Sequence, residues 1–170
     1  MINSKSQLKK IIKLEASNRR IKNVRFYHLF TRPLAYYQKV LRTHEYLINT
    51  NSLLSKPYHI YFKLISVHLG FTIPANVFDY GLNIIHWGNI VVSGGAKIGK
   101  NCRIHSGVNI GEKNGFHSIG CNVYIGPGAK IFGPIKIGNN VKIGANAVVT
   151  KSFQDNVVIA GIPAKIIKYL

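Results

Sequence analysis

From Val92 onward an aliphatic residue stands at every sixth position: Val92, Ile98, Ile104 and Ile110, then, after three inserted residues, Ile119, Ile125, Ile131, Ile137, Ile143 and Val149. Four residues after nearly every one comes a second compact or aliphatic side chain: Ala96, Cys102, Val108, Val123, Ala129, Ile135, Val141 and Ala147. Amphipathic helices space their apolar residues by three and four, and antiparallel sandwiches space their strands irregularly around hairpin turns. Neither produces this register. A six-residue unit is a short strand plus a corner, and three such units close a triangular coil with the aliphatics stacked inward. Each coil buries its face only against its neighbours. The pattern predicts a mainly β region over 71–170, a parallel β-helix of hexapeptide repeats. Phe78 and Ile84 carry the step backwards, and Ile90 continues it before a two-residue jump to Val92, so the coils are expected to begin near Ile73. The expected end is Val149-Thr150-Lys151, followed by a turn and a tail from Val157 to Leu170.

Residues 1–70 lack this repeat, and their only glycine is Gly70. They read as a small α-helical N-terminal region with helices over Gln7–Arg20, Pro33–Asn49 and from near Pro57 to Leu69. Leu34, Tyr37, Leu41 and Ile48 fall near one face of the second helix. Pro33 and Pro57 suit first helical turns, and Ser55 is placed to cap the third helix.

Composition changes this picture little: 46% hydrophobic and 16% charged residues are enough to bury a core. Charge changes it more. Lysine and arginine number 23 against Glu15, Glu45, Asp79, Glu112 and Asp155, a net charge of +18. An anionic partner is implied: nucleic acid, an anionic membrane surface or a phosphorylated small molecule. No nucleic-acid motif accompanies the basic residues, which argues against the first and leaves peripheral membrane contact open. The apolar stretch from Ile60 to Phe78 is interrupted by Lys63, His68 and Pro74, and charged residues stand where a signal peptide needs an apolar run. A cytoplasmic location is expected. Cys102 and Cys121 show no CxxC spacing and are too few for a disulfide framework or a zinc site, so both are expected reduced and no metal is required.

From about Phe71 to its end the chain resembles the left-handed β-helix acetyltransferases, in the branch of serine acetyltransferase and polysaccharide O-acetyltransferases. The resemblance rests on the repeat, on Ile84-Ile85-His86-Trp87-Gly88-Asn89-Ile90-Val91-Val92, and on Ala160-Gly161-Ile162-Pro163-Ala164-Lys165. It implies a left-handed coil, a homotrimer, and acetyl-CoA as acyl donor in grooves between neighbouring β-helices. His86 matches the family's catalytic histidine. A hydroxyl is a poor nucleophile at neutral pH, and a neutral imidazole can take its proton as it attacks a thioester. Phe71 and Ile85 stand where serine acetyltransferases carry aspartates, which leaves Asp79, Glu112 or a backbone carbonyl to orient His86. Three hexads plus the two-residue jump place Ser106 over His86, with His105 beside it, about 4.8 Å away. Both could border the acceptor. His117 resembles the second active-site histidine of serine acetyltransferases and is expected to contact substrate. Ala145, Thr150, Lys151, Lys165 and Lys168 match residues that touch acetyl-CoA in related sugar acetyltransferases, where lysines suit phosphates as mobile charges.

The expected function is transfer of acetyl from acetyl-CoA to a sugar hydroxyl, in cell-surface polysaccharide biosynthesis. Loss of the two acidic positions and the short helical region favour it over the alternative, serine O-acetylation. A reading of another class, a non-catalytic β-helix assembly or binding module, is opposed by His86 together with the Gly161–Lys165 tail.

Overall fold

A computed structural model describes residues 1–111 and 118–170. They form two compact units, Met1–Leu69 and Gly70–Leu170.

The first unit holds helices α1 (Lys5–Ser17), α2 (His28–Thr31), α3 (Pro33–Asn49) and α4 (Ser55–Leu69). Ser4 caps α1 by accepting a hydrogen bond from the Gln7 N–H at 3.2 Å, so this helix starts and stops earlier than its apolar spacing suggests. The one-turn α2 was not legible. On α3, Leu34, Tyr37 and Leu41 are buried as expected, whereas Ile48, in the last turn, is exposed. α4 begins at Ser55 itself, which is therefore a helical residue and not the cap before it. Pro57 then falls in the first turn, where its missing N–H costs no hydrogen bond.

This unit encloses charge. The Arg42 guanidinium meets Glu15 at 2.7 Å and Glu45 at 2.8 Å, all three side chains being buried. Burial alone would lower the arginine's pKa, but Glu45 and then Glu15 more than reverse that, and it is raised. Nearby, the buried His44 places Nε2 3.2 Å from His59 Nδ1 and stacks on Phe62 at 4.7 Å. Burial, and secondly the His59 charge, push its pKa down to about 4.

The second unit is the expected β-helix, closed by three sheets. Strands β1 (Phe71–Thr72), β3 (Ile90–Val92), β6 (Asn109–Gly111), β9 (Lys130–Phe132) and β12 (Val148–Val149) stack in parallel on one side. β4 (Lys97–Ile98), β7 (Ser118–Ile119) and β10 (Lys136–Ile137) form the second, extended by bridges from Phe78 to Ile98 and from Ile137 to Phe153. The third runs β2 (Asn83–Ile84), β5 (Arg103–Ile104), β8 (Tyr124–Ile125), β11 (Lys142–Ile143), β13 (Val157–Ala160) and β14 (Lys165–Tyr169). All ten periodic aliphatics and all eight compact partners are buried.

Both ends differ from expectation. The first rung is β1, two residues before Ile73, because Phe71 pairs with Ile90. Residues 157–160 are not tail: β13 pairs in parallel with β11 and adds a further rung, and only β14 folds back antiparallel over it. Val149-Thr150-Lys151 is thus one more corner. The corner leading into the third sheet is built on asparagine. Asn101, Asn122, Asn140 and Asn156 all adopt φ between +55° and +59°, and the first three each donate a side-chain amide N–H to the next at 3.1, 3.1 and 2.8 Å. Asparagine tolerates this left-handed conformation better than other residues with a Cβ, and the ladder satisfies its amides.

Candidate active site

A surplus of two residues marks one corner. Ile84 pairs with Ile104, twenty positions on, whereas Val91 pairs with Asn109, eighteen positions on. The chain between β2 and β3 is therefore two residues longer than the chain stacked against it, and His86 sits exposed within this loop. A methyl group placed on Gly88 would lie 3.6 Å from Ser106 Cβ, so the loop passes over Ser106 as stacking requires.

The His86 ring approaches that of His105, with centroids 6.0 Å apart and planes inclined at 51°. His105 in turn meets the Tyr124 ring edge-on at 5.1 Å, and the Arg103 guanidinium lies 5.8 Å from the same ring. Three successive coils thus contribute one ring each. Burial, then the charges of Arg103 and His86, lower the pKa of His105, which keeps this imidazole neutral near pH 7. Its Nε2 is buried without a hydrogen-bond partner among the described residues. A buried polar atom left unpaired is costly, so a group that can hydrogen-bond there gains free energy on entering. Below Ser106, Lys130 Nζ donates to the Gly107 carbonyl at 2.8 Å and fixes the corner.

Asp79 is not brought to His86. It lies before β2, at the opposite end of that strand, and its carboxylate accepts a hydrogen bond from the Tyr80 N–H at 2.8 Å. Glu112 and His117 fall outside the described residues. Phe71 is buried in β1 and Ile85 half-buried, and Asp155, like Asp79, precedes a strand of the third sheet whereas His86 follows one.

The strand register aligns Ile84, Ile104, Ile125 and Ile143. Two residues beyond these come His86, Ser106, Pro127 and Ala145, so Ala145 lies on the same edge as His86, and it is exposed. Thr150 and Lys151, also exposed, follow β12 at the next corner, and Lys165 and Lys168 are exposed on β14. The five residues matched to acetyl-CoA contacts occupy two corners and one strand of a single chain. Tyr124 and Arg103 escaped the sequence reading. The register aligns His105 with Gly126 and Arg103 with Tyr124, so the contact between His105 and Tyr124 is diagonal, and nothing in the repeat says that the tyrosine ring turns towards His105.

A family profile described as bacterial transferase hexapeptide (six repeats) matches residues 116–151. Serine acetyltransferase of Mycobacterium tuberculosis is 37% identical over 108 residues, covering 61% of this chain and 45% of the relative. That of Staphylococcus epidermidis is 40% identical over 114 residues, covering 64% and 51%. A solved serine acetyltransferase in complex with CoA superimposes with a TM-score of 0.79 at 28% identity, covering 96% of this chain and 71% of that one. The fold is that of the hexapeptide-repeat acetyltransferases. The chain spans about half the length of the curated relatives it matches.

These relatives overturn the expectation of a sugar acceptor in polysaccharide biosynthesis. In sequence and in solved structure alike they are serine acetyltransferases. The absence of aspartates at positions 71 and 85 carried too much weight, because two positions cannot outvote similarity extending over more than a hundred residues.

Proposed function

We propose that the chain transfers acetyl from acetyl-CoA to the hydroxyl of serine, with His86 as general base. The observation that carries this reading is the exposed imidazole on the lengthened corner of a coil whose relatives are serine acetyltransferases, one of them solved with CoA. The neutral form of His86 accepts the serine hydroxyl proton as the oxygen attacks the thioester carbonyl. The tetrahedral intermediate collapses by breaking the carbon–sulfur bond, and the imidazolium returns its proton to the departing thiolate. A neutral His105 beside it leaves His86 free to take up positive charge without a like charge 6.0 Å away. Its Nε2, without a partner among the described residues, offers a hydrogen bond to the acceptor.

Lys165 and Lys168 hold the phosphates of the donor, Thr150 and Lys151 line its path, and the small Ala145 admits the pantetheine arm. As the resemblance to the left-handed β-helix acetyltransferases implies, the binding groove is completed by a neighbouring copy, and a trimer is the assembly that supplies it.

Thiol release from acetyl-CoA, measured with serine and with a panel of mono- and oligosaccharides, tests the reading. Serine should support turnover, and His86→Ala should lower it by about 10²–10⁴-fold, the usual contribution of a positioned base. Acetyl-CoA should still raise the thermal stability of that variant, since the donor binds elsewhere along the edge. No thiol release with serine, or full turnover in His86→Ala, defeats the proposal.

A further inference from the structure

The exposed charge of the helical unit has a single sign. Its two carboxylates, Glu15 and Glu45, are only 3% and 2% exposed, and both are bound to Arg42. No acidic residue remains at that unit's surface to balance its lysines and arginines. The segment joining α1 to α3 concentrates the consequence: Arg20, Lys22, Arg25 and Arg32 are exposed within thirteen residues that include no acid.

The same segment displays aromatic rings. Phe26 is 63%, Tyr27 55% and Phe30 78% exposed. These rings are held in place. Phe26 and Phe30 meet edge to face at 6.5 Å, Phe26 also touches Tyr36 at 6.0 Å, and Tyr27 lies on His28 at 4.2 Å. Three ordered rings in water among four cations amount to apolar surface rimmed by positive charge.

We propose that residues 20–32 dock the protein on an anionic lipid bilayer. Phe26, Tyr27 and Phe30 enter the boundary between headgroups and acyl chains, while the four cations meet lipid phosphates. This surface satisfies both groups together: amphipathic segments bury aromatic and aliphatic side chains a short way below the headgroups, and anionic lipids attract the flanking basic residues. The association is peripheral, since no helix among the described residues is long and apolar enough to cross a membrane. A single-stranded nucleic acid would also attract the cations, but it needs open ring faces for its bases. Here His28 covers one face of Tyr27, and Phe26 and Phe30 are engaged edge to face.

The test is co-sedimentation of the full chain with vesicles of phosphatidylcholine alone and of equal parts phosphatidylcholine and phosphatidylglycerol. Binding is expected to the mixed vesicles and not to the neutral ones, and to weaken with salt. Lys22→Glu with Arg25→Glu should reduce it by roughly fivefold or more per charge. Phe30→Ser should reduce it at unchanged charge, whereas Lys97→Glu with Lys142→Glu, on the β-helix, should leave it unaltered. Thermal unfolding checks that each variant folds. Independently of any substitution, mixed vesicles should protect the bonds after Arg20, Lys22 and Arg25 from trypsin. Equal loss from the β-helix reversal, full binding by Phe30→Ser, or absence of tryptic protection overturns the proposal. So does displacement from the vesicles by a single-stranded oligonucleotide that is itself bound through Phe30.

Discussion

The two units of this chain solve burial in opposite ways. Every buried polar or charged side chain among the described residues, namely Glu15, His28, Gln38, Arg42, His44, Glu45 and Ser66, belongs to the helical unit. The β-helix buries apolar side chains and Cys102, whose thiol burial pushes up to about 12 and so keeps inert. The difference follows from backbone geometry. In the coil each strand's N–H and C=O groups are satisfied by the rungs above and below, so the interior can be filled with identical aliphatics. Helices satisfy only their own backbones, and their mutual placement is left to side chains. The Glu15–Arg42–Glu45 cluster joins α1 to α3 at one geometry, because burying these charges in any other arrangement would leave them unpaired.

The comparison can be broken at its strongest point. Arg42→Ala leaves two carboxylates buried without their cation and should destabilise the helical unit by about 3–5 kcal/mol. Denaturant unfolding followed by the helical circular dichroism signal reads this directly, since the described helices all lie in that unit. Replacing Glu15, Arg42 and Glu45 together by apolar residues of similar volume should restore most of the loss. If Arg42→Ala alone costs nothing, the cluster does not organise the helices.

A pH series sharpens the contrast. His44 folds with its pKa near 4, below the ordinary value of 6.5. Between those two values the unfolded chain takes up a proton that the folded one refuses, so helical stability should fall as pH is lowered through that window. At higher pH this group contributes no slope. His44→Phe should flatten the dependence, and a wild-type chain with no slope there would contradict the buried assignment.

The smallest effect belongs to the β-helix. Ile125 sits fully buried in the middle of its ladder, and Ile125→Val should cost about 0.5–1.5 kcal/mol, the usual loss for one buried methyl group. A much larger loss, measured by the β-sheet signal, would mean that the rungs are less interchangeable than their uniform packing indicates.

A repeat is nearly one-dimensional: each coil touches only the next, so a period of six residues carries strand register, inward face and corner with it. That is why the ladder from Val92 to Val149 was legible from the amino-acid sequence, and why stacking arithmetic set Ser106 and His105 under His86. The sequence also marked the lengthened corner, through the two-residue jump between Ile90 and Val92. Only the tertiary structure decided which side chains meet there. The ring contact of His105 with Tyr124, the burial of its Nε2 with no partner among the described residues, and the separation of Asp79 from His86 depend on side-chain direction, which a periodic pattern does not encode. The same holds for the helical unit, where Glu15 and Arg42 lie 27 residues apart and no period links them. Their pairing follows from how α1 and α3 pack, and in the sequence each reads as one more charged residue on a helix.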